Sequence, residues 1–195
     1  MEDAIAWRVQ DMPNPIAVLA AAPAQVLIRA DLVQSLSSSD LAFVMAMGLD
    51  MAMPGRRLLL GSSEEDRNNL LPAVCTALNL VSRVSPLSEK ITAATDEATR
   101  LAWAGRLVGV LIYEQSSLTQ RHYEALLSTS RRVGAVVAGD LRLASRAIAR
   151  LYESEAIKPQ GLTKSAELDE HLAEAPVLRA ILSFACSPGF GKLLV

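Results

Sequence analysis

The chain has 195 residues, of which 51% are hydrophobic and 21% charged, and its formal net charge at pH 7 is −2. This composition excludes a disordered or low-complexity protein, because so apolar a chain can bury enough surface to offset the entropy lost on folding. The nearly neutral charge argues against a nucleic-acid binder or a protein of anionic membranes. We expect a single domain over residues 1–195 with an aliphatic core, since aromatic residues make up only 4%.

No apolar stretch has the roughly 20 residues that a membrane-spanning helix needs. The most apolar run, Leu41–Met53, is interrupted by Asp50, and the first residues are acidic without an apolar signal core after them. Two cysteines, Cys75 and Cys186, are too few for a disulfide scaffold, and their apolar neighbours favour buried free thiols. These features predict a cytoplasmic protein.

The first predicted elements are short strands. Ile16–Leu19 and Gln25–Arg29 are rich in residues that favour strands, and the Ala/Pro segment between them is typical of a hairpin. Trp7–Val9 is a further candidate strand before this hairpin. Asp31 is predicted to cap a helical turn over Leu32–Leu36.

The strongest helix signal follows directly. Ser37-Ser38-Ser39-Asp40 is a helix start of the S-x-x-D kind, and Leu41–Met53 after it is apolar on almost every side. A helix of that composition is buried, not merely amphipathic. Pro54–Gly55 is predicted to end it.

Helices dominate the remainder of the chain. The further predicted helices run from Ser62 to Arg83 with a kink at Pro72, from Pro86 through Ala102 and on into the ambiguous run Leu107–Tyr113, from Thr119 to Ala138, from Leu141 to Tyr152, and from Leu168 to Phe184. The predicted fold class is α+β, mostly α: a helical domain whose small N-terminal hairpin or sheet packs on a buried central helix.

Residues that could carry chemistry are few. Arg142, Arg146 and Arg150 form a basic stripe, which could bind an anion or a partner but is more often a solvated helix face. The segment Gly189–Lys192 fails the phosphate-loop pattern, because the required earlier glycine and the following Ser or Thr are missing. The histidines, His122 and His171, lie on different predicted helices. No spacing typical of a metal site or of a catalytic nucleophile is present.

The order of elements, and the segment that begins Leu36-Ser37-Ser38-Ser39-Asp40-Leu41, resembles the N-terminal half of minigluzincin zinc peptidases. In that family the buried helix carries H-E-x-x-H, whose histidines bind zinc while the glutamate activates water. The corresponding residues here are Met47-Gly48-Leu49-Asp50-Met51. Both ligand positions are therefore Met, and the position of the base is Gly.

The second half of the chain is similar to the same family. The family's third ligand lies in E-x-x-A-D-r-x-G, where this chain has Leu127 at the Glu position and Arg131 at the Asp position. The resemblance implies a minigluzincin-like core over about residues 14–152, followed by a C-terminal helical extension. The segments starting at Arg131 and at Leu178 are also similar to uncharacterised domains of helical-repeat proteins in predatory and gliding bacteria, which implies no known activity.

The substitutions agree with one another physically. Inward histidines without a metal would bury polar groups without partners, whereas Met fills irregular space without that cost. Met45, Met47, Met51 and Met53 therefore indicate that the position of the old site has become core. Asp50 is expected to face water, to pair with Arg56 or Arg57, or to lie at a helix end.

The resulting hypothesis is a pseudoenzyme: a non-catalytic protein-interaction or structural domain with no catalytic residues, no metal ligands and no cofactor. It predicts a protein partner or self-association, no nucleic acid and no membrane span. The candidate faces are the edge of strand Gln25–Arg29 and the segment Leu178–Val195. Two alternatives remain open, a sensor that binds a small apolar ligand in the vestigial cleft, and an enzyme whose site the sequence does not reveal.

Overall fold

The structure, a computed structural model, describes residues 4–19, 21–111, 118–155 and 176–187. Helices dominate it, and a small sheet lies near the N-terminus, which confirms the predicted α+β, mostly α class. The elements are β1 (Ala4–Val9), β2 (Ile16–Leu19), β3 (Ala24–Arg29), α1 (Ala30–Ser35), α2 (Ser38–Met51), α3 (Pro54–Leu60), α4 (Glu64–Ala77), α5 (Pro86–Ala94), α6 (Glu97–Leu111), α7 (Leu118–Ala138), α8 (Leu141–Glu155) and α9 (Pro176–Ala185).

The sheet has the strand order β1-β3-β2. Strands β2 and β3 are antiparallel, so the predicted hairpin is confirmed, and β1 pairs parallel with the other side of β3. The prediction that Gln25–Arg29 offers a free strand edge is wrong, because β3 is the central strand and β1 and β2 form the edges. A hairpin pattern alone could not show this, since it does not indicate on which side a third strand joins.

Helix α2 is the buried central helix that its composition predicts. Its buried residues include Phe43, Val44 and Met47, whose exposed fractions are between 0% and 2%. The helix packs against β2 and against helices α3 and α8. The sheet turns its buried residues, Val26 among them, toward this helix.

The chain divides into two compact units. The first comprises Met1–Gly61 and Leu126–Val195, and it contains the sheet, α2 and α8; the second comprises Ser62–Ala125 and contains the packed pair α4 and α5. Helix α7 starts in the second unit and ends in the first. The expectation of a single domain, with a minigluzincin-like core over residues 14–152, stays a prediction.

Several predicted helix ends are wrong for local reasons. Pro54–Gly55 was predicted only to end α2, but it also begins the next helix. Pro54 occupies the first turn of α3, where its fixed φ suits a helix start. Helix α4 stops at Ala77 and not at Arg83, because Asn79 has φ +56° and the Leu80 N–H donates to Cys75 O. That left-handed residue and that hydrogen bond form a Schellman end.

The predicted continuous helix after Pro86 is also wrong, since the chain breaks between α5 and α6. The carboxylate of Asp96 accepts the Thr99 N–H at 2.7 Å and starts a new helix there. Asp31 is not the N-cap residue as predicted: it lies in the first turn of α1, whose N-cap is Arg29, and its carboxylate pairs with that arginine. Tyr113 and residues 168–175 lie outside the described residues.

Candidate functional site

Helix α2 is the element on which the resemblance to a zinc peptidase depends, and it begins at a complete capping box. Ser37 Oγ accepts the Asp40 N–H at 3.2 Å, and Asp40 Oδ2 accepts the Ser37 N–H in return. Asp40 is only 1% exposed, and its carboxylate also accepts two N–H groups of Arg146 on α8, the shorter bond being 2.9 Å. This pair ties the start of α2 to α8.

The charge state of Asp40 follows from these partners. Burial by itself would raise the pKa of Asp40, but the hydrogen bonds from Arg146 and Ser37 outweigh burial and hold the pKa below its usual value. The carboxylate is therefore ionised at neutral pH and serves as a structural anion.

The positions that the resemblance assigns to zinc ligands lie in the core. Met47 is 2% exposed and Met51 is 5% exposed, in agreement with the expectation that these methionines fill space. Met45 is half-buried and Met53 is exposed, so the prediction that all four methionines form core holds for only two of them.

Gly48, the position that the resemblance assigns to the catalytic base, lies against the sheet. A Cβ atom at Gly48 would lie 2.6 Å from Val26 Cγ1 and 2.9 Å from Ile16 Cδ1. Real Cβ atoms do not approach so closely, so the helix and sheet can meet here only because residue 48 lacks a side chain. A glutamate at this position would need a different helix–sheet distance.

Helix α7 brings the segment that the resemblance assigns to a third ligand against α2. Leu127 and Arg131, the two positions that the resemblance singles out, are half-buried. Gly134, one turn further along, approaches α2 so closely that a Cβ there would lie 2.9 Å from the backbone oxygen of Phe43. The two helices are therefore in close contact.

Asp50 forms the polar centre of this contact. The residue is 8% exposed, and its carboxylate pairs with Arg56 of α3, as one of the sequence expectations states. Ser130 of α7, which is 0% exposed, donates its Oγ–H to Asp50 Oδ2 over 2.7 Å. Its Oγ also lies 3.1 Å from Leu126 O.

This cluster links three helices and is not arranged for catalysis. A serine nucleophile needs a base beside it and room for a substrate, whereas Ser130 is fully enclosed. Asp50 lies in the last turn of α2, where the helix dipole disfavours an anion, and Arg56 supplies the compensating charge. The sequence indicated Arg56, but nothing in it indicated Ser130, which is 80 residues away from Asp50 along the chain.

The basic stripe is partly neutralised and not simply solvated. Arg146 binds Asp40, and Arg150 donates to the backbone oxygen of Ser35 at 2.8 Å, whereas Arg142 is exposed. Arg132 lies over the Phe184 ring at 5.4 Å. The stripe therefore holds α8 against the segment at the start of α2.

The remaining sequence candidates lie apart from one another. His122 is exposed on α7, and His171 and Gly189–Lys192 lie outside the described residues. Cys75 is buried as expected, and burial raises the pKa of its thiol, whereas the expectation of a buried thiol is wrong for Cys186, which is exposed. Among the described residues, no three His, Cys, Asp or Glu side chains gather into a group that could hold a metal ion.

An open groove of about 580 Å³ lies in the second unit, along α5. Val81 and Val84 contribute apolar surface to it, and polar side chains such as Glu89 and Thr92 supply much of the rest. None of the α2 residues discussed above lines it.

The candidate interaction site is the face of the sheet that points away from the core. Strand alternation and the observed register define the outer sheet face. It holds the polar Gln25 and Arg29 and six apolar residues: Ile5, Trp7, Val9, Ala17, Leu19 and Leu27. Trp7 is 51% exposed, Leu19 43% and Ile5 40%. Sequence reasoning missed this face, although the apolar, polar alternation of Trp7–Val9 was a signal for it.

The chain matches no protein-family model, and it shows no significant similarity to a curated protein or to a solved structure. The described residues include no helix long and apolar enough to cross a bilayer.

Proposed function

We propose that the chain is a non-catalytic protein-interaction or structural domain, built on a scaffold similar to that of minigluzincin peptidases whose metal chemistry has been lost. The observation that carries this proposal is the outer sheet face. It places the exposed Trp7 and Ile5 on β1, whose outer edge pairs with no other strand among the described residues.

A face of this kind favours a protein partner. Exposed strand edges are usually shortened or protected by charge and proline, because their unpaired N–H and C=O groups bind other strands. Strand β1 has six residues, no proline and a single charged residue, Arg8. Tryptophan in a largely apolar patch is also typical of residues that dominate binding energy in protein interfaces.

The packing of α2 supports the non-catalytic part of the proposal. The ligand positions Met47 and Met51 are buried, and Gly48 touches the sheet. Asp50 is engaged by Arg56 and Ser130. This arrangement also disfavours a ligand sensor that uses the old cleft, because methionine side chains and the sheet occupy its place.

We also propose a cytoplasmic location. Cys75 and Cys186 are both free, and the second thiol is exposed. Free exposed thiols persist in the reducing cytosol, whereas oxidising compartments favour disulfides.

The experiment compares three forms of the full chain: wild type, Trp7→Lys and Val137→Lys. Val137 is 57% exposed on α7 and serves as the matched control, because it is an apolar surface residue outside the sheet. Light scattering across a concentration range and a pull-down are run on each form, and circular dichroism establishes that each is folded. We expect wild type and Val137→Lys to bind protein, either a second copy or another chain, and Trp7→Lys to lose that binding.

A hydrolysis screen with peptide and ester substrates completes the test. A strictly monomeric wild type that captures nothing, yet hydrolyses a substrate, would overturn the proposal in favour of an enzyme with an unrecognised site.

A further inference from the structure

The open groove along α5 is built by the second unit alone. Its walls are the end of α4, the segment that connects α4 to α5, and α5 itself. Its volume of about 580 Å³ lies within the range of pockets that hold small organic molecules. No residue of the outer sheet face lines it, so its chemistry is separate from that of the proposed interaction site.

Glu89 gives the groove a negative charge. Among the described residues that line the groove, Glu89 alone is charged, and it is exposed in the first turn of α5, where the helix dipole stabilises a carboxylate. The neighbouring cations Arg83 and Lys90 do not line the groove, and neither does Arg100, which donates to the backbone oxygen of Thr92. The charge of the groove therefore favours a cationic ligand over an anionic one.

The start of α5 does not reverse this preference. A helix N-terminus normally attracts anions through free N–H groups. Here the Ser88 N–H donates to Ser85 Oγ over 3.1 Å, the Glu89 N–H donates to Ser85 O over 3.1 Å, and Pro86 has no N–H. These three positions offer an anion no free donor.

Most hydroxyl groups of the groove can only accept further hydrogen bonds. Thr76, Ser88 and Thr92 each direct the hydroxyl hydrogen to a backbone oxygen, over 2.5, 2.7 and 2.8 Å respectively. A hydroxyl has one hydrogen, so only oxygen lone pairs remain for a ligand. Ser82 and Asn79, which also line the groove, can donate or accept. These groups suit a ligand that donates hydrogen bonds.

The connecting segment adds apolar surface beside these acceptors. Val81 is 47% exposed and Val84 is 69% exposed, and both line the groove together with Ala93. An aliphatic chain that covers these side chains leaves water, which stabilises the complex by up to about 0.8 kcal/mol for each buried CH₂ group.

We propose that this groove binds a small primary amine, in which an ammonium group is carried by a short aliphatic chain. The ammonium donates to the Glu89 carboxylate and to Thr92 Oγ, which lie on the same side of α5 because they are three residues apart. The chain covers Val81 and Val84. This site is additional to the proposed function and does not depend on it.

Amide NMR spectra of the full chain, recorded at neutral pH during a titration with butylammonium chloride, test the site. We expect saturable shifts at the amides of Asn79 and Thr92. Butanol and butyrate have the same chain length, and we expect weaker binding of the neutral butanol and none of the anionic butyrate. Methylammonium should bind several-fold more weakly than butylammonium, because it cannot reach Val81 and Val84.

Two matched variants test the role of the carboxylate. Glu89→Gln keeps the shape of the side chain but removes its charge, and it should weaken butylammonium binding about tenfold, since hydrogen bonds to charged groups are the stronger ones. Glu65→Gln is the control, because Glu65 is exposed in the first turn of α4 and does not line the groove. It should bind butylammonium as wild type does.

Several outcomes would overturn the proposal. Equal binding of butylammonium and butyrate would show that charge does not select the ligand, and equal losses in the two variants would show that only the net charge of the chain matters. Shifts confined to residues outside the groove, or no saturable shifts, would remove the site. Tighter binding of N-acetyl-lysine N-methylamide than of butylammonium would assign the groove to a lysine side chain of a peptide and exclude the small amine. None of these results bears on the binding of protein by the outer sheet face.

Discussion

Replacing Gly134 by alanine tests whether α7 closes on α2 beside Phe43. In a helix interior, Gly→Ala normally stabilises by about 1 kcal/mol, because alanine loses less backbone entropy on folding. At Gly134 the new Cβ would lie 2.9 Å from both the backbone oxygen and Cε2 of Phe43. The oxygen belongs to α2 itself and cannot turn aside, so the two helices must separate.

Overpacking of this kind costs about 1–3 kcal/mol, which exceeds or cancels the gain in helix propensity. We therefore expect Gly134→Ala to be destabilised by about 0–2 kcal/mol, whereas the same change at an open site should be neutral or stabilising. Gly55 and Gly105 provide such sites, because nothing lies within 4 Å of a Cβ at either one. Gly55 belongs to the same compact unit as Gly134, and Gly105 lies in a helix interior.

Urea unfolding of the three variants, followed by circular dichroism, measures these differences. The expected order of stability places Gly134→Ala at or below wild type and the other two at or above it. If Gly134→Ala instead gains stability as much as Gly105→Ala does, α7 does not pack against Phe43 as described, and the account of a closed core fails.

Three further predictions follow from the same core. Met47→Asp should destabilise by several kcal/mol because it buries an unpaired charge, while Leu49→Asp, two residues away and 46% exposed, should change the melting temperature little; equal melting temperatures would place Met47 at the surface. The pKa of Asp40 is lower in the folded chain, so its contribution to folding stability is complete above the unfolded pKa of about 3.9 and is lost as the pH falls through the folded value. The free energy of unfolding, measured at a series of acid pH values, should therefore depend less on pH in Asp40→Asn than in wild type. Identical pH dependence in the two forms would refute the role of Arg146. Elemental analysis after dialysis against a chelator should find no stoichiometric zinc, since Met47, Met51 and Leu127 stand where the resemblance places the ligands and are not zinc-binding residue types; retained zinc would reveal another site.

Local patterns predicted the parts of the fold that depend on neighbouring residues. The apolar composition of Leu41–Met53 predicted a buried helix, and the S-x-x-D pattern predicted its start at Ser37. The strand-favouring residues of Ile16–Leu19 and Gln25–Arg29, with the Ala/Pro segment between them, predicted the hairpin. In each case the determining interactions lie within a few residues or within one face of an element.

Contacts between distant residues could not be read in the same way. The parallel pairing of β1 with β3 decides which strand forms the edge, yet no local pattern encodes it. The bond from Ser130 to Asp50 joins residues far apart in sequence, and both residue types also occur at solvent-exposed positions. The end of α4 depended on a left-handed conformation of Asn79, which asparagine adopts only in some contexts.

The central claim is that protein covers the outer sheet face, and the fluorescence of Trp7 reports on this directly. The chain has two tryptophans, so Trp103→Phe leaves Trp7 as the sole indole. Trp7 is half-exposed in the free chain, and its emission maximum should move to shorter wavelength as the indole leaves water. We predict this shift as the chain concentration rises or as a captured partner is added. An emission maximum that stays fixed at every concentration, and with every protein that the wild type captures, would contradict the account.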